Sequence, residues 1–353
     1  MIKKEILFEE MNSLIPSLVP GRHKGQNGKI GVIGGSFEYT GAPYYGAAAA
    51  LRGGGDLSHI FCTNQAATPI KSYSPEIIVH PYLIAGTELK REATLEEVKD
   101  CVNSTSKWYS ALNAMIIGSG LGRDDAISQC IEDLYGNLES TLTICDGDFF
   151  WYLTEKNKEK LAEKIRKRAK YTVLTPNAAE FKRIWDFLQI ERELTSDEEK
   201  EAERKKFTSE VKSPLIEIPI DNPLAVDYVE VSKKLGNVNI LAKGEFDIIT
   251  NGKEAYAVLR KTSQKRSGGQ GDIMAGLVAL YCFWDQNRQN ELEIDPNSDE
   301  FSILRGCMLG NYITRHAAAL AYEKYKYGLT APHVLDEIYV AINSFVDKGL
   351  TSS

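Results

Sequence analysis

Short apolar runs alternate with longer amphipathic segments along most of the chain. Runs rich in Val, Ile and Leu predict β-strands, and longer stretches with apolar residues three or four positions apart predict helices. The runs that predict strands are KIGVIG (29–34), LSHIFC (57–62), IIVH (77–80), AMIIG (114–118), TLTICD (141–146), YTVLT (171–175) and VNILAK (238–243). The segments that predict helices between them are 42–51, 94–102, 124–135, 155–169, 177–188 and 225–235.

This alternation predicts an α/β fold in which a mostly parallel, doubly wound sheet has helices on both faces, giving three layers. The segment DIITNGKEAYAV (247–258) departs from the pattern. An Asn-Gly pair between two β-type runs predicts a tight antiparallel hairpin, which we place at the edge of the sheet. Three more helices are expected after the hairpin, at 273–284, 301–322 and 332–345.

One stretch, residues 192–223, differs from the rest in composition because SDEEKEAERKK within it is almost entirely charged. Such a run is typical of a solvated helix or of a mobile surface insertion. Nothing in the sequence has the length and the Pro, Gly and Ser content of a linker between domains. We therefore expect a single domain over residues 1–353 that carries a charged surface insertion at about 192–223.

Composition narrows the class of protein further. The chain has 43% apolar and 26% charged residues, which is ordinary for a soluble globular protein, and a formal net charge of −7. That charge argues against nucleic acid or an anionic membrane as a general partner. Acidic residues near the N-terminus speak against a targeting peptide, and the six scattered cysteines suggest buried reduced thiols. A cytoplasmic location is the expectation, and a mitochondrial form stays open as an alternative.

Glycine-rich and polar clusters follow several of the predicted strands. Because the carboxyl ends of parallel strands lie on one edge of a sheet, where ligands of doubly wound folds bind, we expect these clusters to share a site. Each alone is weak evidence, since a glycine after a strand is usually a turn. The clusters are GGS (34–36), GSGLGRDD (118–125), DGD (146–148), TPNAAEF (175–181) and KGEFD (243–247).

The stretch RSGGQGDIMAG (266–276) places four glycines around Asp272, where a helix begins. Glycines let the backbone approach a phosphate, and the first turn of a helix offers unpaired N–H donors to an anion. A carboxylate in that position repels phosphate, so it fits a general base that takes a proton from an attacking hydroxyl. The alternative is that Asp272 only caps the helix.

Other nucleotide-binding and metal-binding motifs are absent from the sequence. The chain has neither the Walker A spacing nor the dinucleotide-binding G-x-G-x-x-G, and it lacks the histidine and cysteine spacing of a zinc site. Two histidines, His80 and His316, lie in apolar surroundings and are interpreted as packed residues.

Six segments in order resemble one family closely. They are KGQNGKIGVIGGSFEYTGAPYYGAAAALRGG (24–54), GSGLGRD (118–124), DGD (146–148), LTPNAAEF (174–181), AKGEFDIITNG (242–252) and SGGQGDIMAGLVA (267–279). The G-x-G-D loop resembles the ribokinase-like superfamily, and the set is similar to the ATP-dependent NAD(P)HX dehydratases, which repair hydrated nicotinamide cofactors. The resemblance spans about residues 20–345.

The resemblance implies a role for each motif. Asp272 would be the catalytic base and would contact the substrate. The implied ATP-binding residues are Lys243, Gly244, Glu245, Phe246, Asp247, Thr262, Ser263, Gln264, Lys265, Arg266, Ser267, Gly268, Gly269, Gln270 and Gly271. The implied residues that bind the hydrated dinucleotide are Gly122, Asn177, Ala178, Ala179, Glu180, Phe181, Lys182 and Arg183. Asn177 and Glu180 would also organise Mg²⁺, or would equally form a helix capping box.

The implied reaction uses ATP as co-substrate, with Mg²⁺, to dehydrate the S epimer of NADHX or NADPHX to NADH or NADPH, releasing ADP and phosphate. Such an enzyme would work beside an NAD(P)HX epimerase, and a homo-oligomer is possible. Two alternatives remain open at this point. One is a ribokinase-like kinase of a pyrimidine alcohol or sugar, and the other is a dinucleotide sensor without catalysis.

Overall fold

The protein is described here from a computed structural model that covers residues 2–21, 23–210 and 213–350. Its centre is a ten-stranded mixed sheet with the strand order β3-β2-β1-β4-β5-β6-β8-β9-β10-β7. The strands are β1 (Lys29–Ile33), β2 (Leu57–Thr63), β3 (Ile77–Leu83), β4 (Ala114–Ile117), β5 (Leu142–Cys145), β6 (Thr172–Leu174), β7 (Leu215–Ile218), β8 (Asn239–Ala242), β9 (Asp247–Thr250) and β10 (Ala255–Val258).

The strands from β3 to β8 pair in parallel, and β8, β9, β10 and β7 pair in antiparallel fashion. The hairpin of β9 and β10 turns at Asn251-Gly252, where Gly252 has a φ of +81° that favours glycine. The prediction of a mostly parallel sheet with an antiparallel edge hairpin is therefore confirmed. The hairpin lies one strand in from the edge, because β7 pairs with the outer side of β10.

Helices cover both faces of the sheet. They are α1 (Ile2–Asn12), α2 (Gly41–Arg52), α3 (Asn64–Tyr73), α4 (Gly86–Leu89), α5 (Leu95–Ser106), α6 (Asp125–Gly136), α7 (Phe149–Trp151), α8 (Lys158–Lys167), α9 (Ala178–Phe187), α10 (Asp197–Glu210), α11 (Val226–Lys234), α12 (Gln270–Glu291), α13 (Leu304–Tyr325), α14 (Ala331–Asp336) and α15 (Ile338–Leu350). The segment 332–345 thus forms parts of two helices where the sequence predicted one. No helix in the described ranges is long and apolar enough to span a membrane.

Two hydrophobic cores lie on opposite faces of the sheet. Neighbouring strand residues alternate between them, since Val32 belongs to the core that includes α2, α12 and α13, and Ile33 to the core that includes α5, α6 and α8. Helix α12 packs closely on α2, because a Cβ at Gly276 would lie 2.2 Å from the backbone oxygen of Gly46. This close approach fixes the start of α12 against the sheet edge. All six cysteines are buried free thiols, as the sequence predicted.

The charged segment 192–223 is anchored to the domain. Asp227 on α11 is fully buried and pairs with Arg192 and Lys200, and it also accepts a hydrogen bond from Thr195. Phe207 of α10 packs into the second core. The helix that the sequence predicts as one alternative is present at Asp197–Glu210. Residues 211 and 212 lie outside the described residues.

The segment also contains strand β7, which sequence analysis did not find. Leu215 and Ile218 are buried, and the strand pairs with β10 along its full length. The interpretation of 192–223 as a surface insertion therefore needs correction at 215–218, which is part of the sheet.

Two buried histidines predict that the fold is sensitive to acid. His59 Nδ1 lies 3.0 Å from His80 Nε2, and both rings pack near Trp108. Burial lowers the pKa of His59, and burial together with His59 lowers the pKa of His80 from 6.5 to about 4. Between these pH values the unfolded chain binds a proton that the folded chain does not, so the free energy of unfolding falls as pH falls.

We expect the loss to be on the order of 1–2 kcal/mol between about pH 6.5 and about pH 4, measured by urea denaturation. His80→Phe removes the titrating ring and should flatten this dependence. The exposed His23 offers a control, since His23→Gln should leave it unchanged. An unaltered pH dependence in His80→Phe would refute this role for the pair.

Candidate active site

The polar clusters that follow the strands meet where the parallel strands end, at their carboxyl ends. Backbone hydrogen bonds join the cluster after β1 to the cluster after β4, and that cluster to the one after β5. Side chains join the clusters after β6 and β8 to the cluster after β5, because Asp146 accepts hydrogen bonds from Thr175 and Lys243. The contacts are Gly35 N to Gly120 O (3.1 Å), Asp148 N to Gly118 O (3.1 Å), Thr175 Oγ1 to Asp146 Oδ1 (2.9 Å) and Lys243 Nζ to Asp146 Oδ1 (2.6 Å).

Asp272 lies at this edge in the first turn of α12. The N-cap residue of the helix is Gly269, in the left-handed region with a φ of +92°, so Asp272 is the third helical residue and does not cap the helix. The residue is half-buried. The cap alternative is thereby removed, and the side chain remains available to a substrate at the carboxyl ends of the strands.

The surroundings of Asp272 make its carboxyl a weaker acid than usual. Burial raises its pKa from 3.8 to about 7, and the negative charge of Asp146 adds to the rise. The hydroxyl of Ser119 and the ammonium of Lys243 act in the opposite direction. A base is most effective when its pKa lies near the working pH, so this carboxyl suits proton transfer near neutrality.

Lys243 is the cation at the centre of the site. Its Nζ lies 2.6 Å from Asp146 and 3.9 Å from Glu180. Burial alone would lower its pKa, but the two carboxylates outweigh that effect and raise it. A Cβ on Gly271 would come within 3.5 Å of this ammonium, so Lys243 sits directly beside the glycine loop. Positive charge and unpaired helix N–H groups therefore face the same space.

The start of α9 carries a complete capping box. Glu180 N donates to Asn177 Oδ1 at 3.0 Å, and Asn177 N donates to Glu180 Oε2 at 2.8 Å, as one of the two sequence interpretations expected. Burial raises the pKa of Glu180, although Lys243 opposes this. The second carboxylate oxygen of Glu180 is not used by the box, so a role beside a hydrated cation is compatible with the cap.

A magnesium ion would need ligands beyond the protein here. Among residues 2–21, 23–210 and 213–350, no group of three or more His, Cys, Asp and Glu side chains could hold a metal ion. Mg²⁺ commonly keeps several waters and binds substrate phosphates with one or two carboxylates. The carboxylates of Glu180 and Asp146 at this edge fit that mode of binding.

The other residues predicted to bind the dinucleotide differ in whether they are free to contact a ligand or are already packed or paired within the protein. Ala178 and Ala179 are exposed, and Arg183 lies close enough to Asp148 to oppose the rise in pKa that burial causes in that carboxyl. Phe181, in contrast, packs in the core with its ring 4.4 Å from that of Tyr228. The Lys182 side chain forms an ion pair with Asp186 on the same helix.

Gly122 is held beside Asp148. Its N–H donates to Asp148 Oδ2 at 2.9 Å, and its carbonyl accepts from the hydroxyl of Tyr152 at 2.8 Å. Asp146 and Asp148 belong to the DGD motif, which the sequence places at this site without assigning a role to either residue. The signal that could have found them is the pair of acids directly after a buried strand.

The two stretches predicted to bind ATP differ in exposure. In the first, Glu245 is exposed, while Asp247 is buried and accepts from the N–H of Gly244 at 2.7 Å. In the second, residues 262–269 form a loop in which Ser263 is buried, residues 270–271 begin α12, and Gln270 donates to Lys265 and Ser267. The Asp247 carboxylate is thus engaged within the protein, and Gly268 in the glycine loop is exposed.

The pKa of Asp272 gives a prediction for the pH dependence of catalysis. We expect Asp272, as the predicted base, to act only when it is ionised, so kcat/KM should fall as pH decreases through about 7. Asp146→Asn removes a neighbouring negative charge, so the acid limb of the profile should move to lower pH. The measurement is the pH–rate profile of both proteins. An acid limb at the same pH in the variant would contradict the assigned electrostatics.

Comparison with solved structures defines the class of protein to which this fold belongs. A ribokinase-like superfamily protein from Enterococcus faecalis V583 superposes with a TM-score of 0.66 at 16% identity, over 96% of this chain and 94% of that chain. An ADP/ATP-dependent NAD(P)H-hydrate dehydratase from Bacillus subtilis, co-crystallised with ATP and Mg²⁺, gives a TM-score of 0.58 at 17% identity, over 96% and 97%. The fold is ribokinase-like.

Sequence comparison identifies the family. The family model described as NAD(P)H-hydrate dehydratase matches residues 30–216. The ATP-dependent (S)-NAD(P)H-hydrate dehydratase of Arabidopsis thaliana is 37% identical over 323 residues, 90% of this chain and 78% of that protein. The protein of the same name from Rattus norvegicus is 32% identical over 342 residues, 96% and 84%. The chain belongs to the NAD(P)H-hydrate dehydratase family.

Proposed function

We propose that the protein catalyses the ATP-dependent dehydration of the S epimer of NADHX and NADPHX, returning NADH and NADPH and releasing ADP and phosphate. The observation that carries the proposal is the half-buried Asp272 in the first turn of α12, with the glycine loop and the Lys243 ammonium beside it. Family membership and the names of the relatives supply the substrate.

The first step is a phosphoryl transfer. The C6 hydroxyl of the hydrated ring attacks the γ-phosphorus of ATP, its proton passes to Asp272, and the bond to ADP breaks. The N–H groups at the start of α12 and the ammonium of Lys243 stabilise the charge on the transferred group. A hydroxyl is a poor leaving group, and this step converts it into a phosphate ester.

The second step is an elimination. The lone pair of the ring nitrogen expels phosphate from C6, and the adjacent ring carbon then loses a proton to the departing phosphate, which forms the double bond of the dihydronicotinamide. The ring regains conjugation, so this step needs less help from the protein. Mg²⁺ bound with the nucleotide supplies positive charge to the phosphates. We propose that Asn177 and Glu180 hold it through its water shell.

We also propose the division of the site between the two substrates. The stretches Lys243–Asp247 and Thr262–Gly271 bind ATP, and Gly122 with Asn177–Arg183 binds the hydrated dinucleotide. Asn177, Ala178 and Ala179 support this, since they are exposed and follow β6 at the carboxyl ends of the strands, where Asp272 also lies. Because Phe181 is in the core, we assign its contact to the backbone.

The test is to incubate the purified protein with NADHX, ATP and Mg²⁺ and to follow the return of the dihydronicotinamide absorbance at about 340 nm. We expect the absorbance to appear with ATP and to be absent when the nucleotide is omitted. A stable phosphorylated product would indicate a kinase instead. Binding of ATP and NADHX without turnover would indicate a sensor.

A further inference from the structure

The two stretches assigned to ATP are far apart in sequence, and one buried side chain connects them. Arg315 lies in the middle of α13 and is 7% exposed. All three of its guanidinium nitrogens donate hydrogen bonds toward these stretches. The acceptors are Asp247 Oδ2 for Nη1 (2.8 Å), Glu245 O for Nη2 (2.7 Å) and Arg260 O for Nε (2.6 Å).

The carboxylate of Asp247 links Arg315 to the beginning of the turn 243–247. Its Oδ1 accepts from the N–H of Gly244 at 2.7 Å, and its Oδ2 accepts from Asn311 Nδ2 at 2.8 Å as well as from Arg315. Asn311 and Arg315 are one helical turn apart on α13, so they face the same side. Two residues of α13 therefore hold the turn that carries Lys243, through the carboxylate of Asp247.

The second stretch is held by the same helix. Arg260, which precedes the loop at 262–271, offers its carbonyl to Arg315 and donates from Nη1 to the hydroxyl of Tyr312 at 3.1 Å. Tyr312 lies on α13 between Asn311 and Arg315. One helix thus holds the first stretch and the residue that leads into the second, and Arg315 contacts both of these.

A buried ion pair is weak evidence for stability, because removing the charges from water costs about as much as their attraction returns. An arginine fork is instead suited to fixing geometry, since its planar donors reach several acceptors at set angles and a lysine cannot replace them. We infer that Arg315 is a positioning residue of the ATP site, which aligns the turn 243–247 with the loop 262–271. The inference rests on the proposed assignment of these stretches to ATP.

The test compares Arg315→Lys with a matched control. Lysine keeps the positive charge but loses the fork, so we expect the KM and Kd for ATP to rise by on the order of 10–100-fold. The KM for NADHX should stay close to that of the wild type, because the residues assigned to the dinucleotide do not contact Arg315. Calorimetry measures the ATP Kd, and steady-state kinetics measures both KM values.

Arg168 provides the control because it is equally buried, at 7% exposed, and also donates to several backbone carbonyls, including those of Glu139 and Thr141. It lies before β6, outside the stretches assigned to ligands. Arg168→Lys should lower the melting temperature and leave the Kd for ATP unchanged. If both variants lose stability and neither changes the Kd for ATP, Arg315 has only a structural role and the inference is wrong.

A milder variant, Asn311→Ser, covers the case in which Arg315→Lys does not fold. It removes one of the two bonds from α13 to Asp247 Oδ2, so the Kd for ATP should rise by a smaller factor. An unchanged Kd in this variant would overturn the inference. Because ATP binding is measured directly, this result is separate from that for the proposed function, which fails only if the wild-type protein does not dehydrate NADHX.

Discussion

Asp272→Asn is expected to lower kcat by about 10²–10⁴-fold while ATP still binds, because the amide cannot take the proton of the attacking hydroxyl. Asparagine has nearly the same shape, and the substitution removes a negative charge from a half-buried position beside Asp146. The fold should therefore be kept or stabilised. The measurement is kcat with NADHX and ATP, together with the Kd for ATP.

A buried acid on the same helix gives the control. Asp285 is fully buried, and burial raises its pKa to about 6, but it pairs with Arg305 and accepts from the N–H of Gly306, far along α12 from the site. Asp285→Asn should reduce stability and leave kcat nearly unchanged. If Asp272→Asn instead retains the wild-type kcat, Asp272 is not the base.

Gly269→Val is expected to reduce kcat/KM for ATP by at least about 10²–10³-fold, the loss typical of a missing anion-hole donor. Gly269 has a φ of +92°, which a β-branched residue adopts only with strain. A Cβ there would also lie 2.7 Å from that of Ala331 and 2.8 Å from the Tyr45 ring. The loop must move, and its N–H groups then lose their alignment with the phosphoryl group.

Gly21→Val is the control that distinguishes the cost of backbone strain from damage to the glycine loop. It has a similar φ of +91°, and no described atom lies within 4 Å of the position of its Cβ. Gly21→Val should therefore show the cost of strain alone in the melting temperature, with normal use of ATP. A Gly269→Val protein that is folded and uses ATP as well as the wild type would exclude the anion-hole role of this loop.

Most of the fold follows from the alternation of apolar and amphipathic segments, because parallel strands buried on both faces require continuous apolar runs. Strands β1 to β6 and strand β8 are predicted from the sequence to within a few residues. Strand β7 was missed because Leu-Ile-Glu-Ile is short and follows a highly charged segment, and its burial depends on β10, which lies about forty residues further along the chain. Its pairing is a tertiary effect that local pattern does not contain.

The residues of the site also fall into those that a local sequence pattern reveals and those that only the tertiary fold brings together. Asp272 and its glycines could be found because the signal is local, with a carboxylate, a flexible loop and a helix start in adjacent positions. The pairing of Asp146 with Lys243 joins residues 97 positions apart, so no spacing rule predicts it. Arg315 left no signal at all, since an arginine within a helix resembles a solvated residue until α13 is placed against the hairpin.

The central claim is that Asp272 takes the proton of the C6 hydroxyl while the first turn of α12 holds the phosphoryl group. A crystal structure with NADPHX and a non-hydrolysable ATP analogue tests it most directly. The account predicts the hydroxyl oxygen at about 2.6–3.2 Å from the Asp272 carboxylate, with the γ-phosphate against the N–H groups of residues 270–272. A hydroxyl bound to another acceptor, with Asp272 facing away from it, would contradict the account.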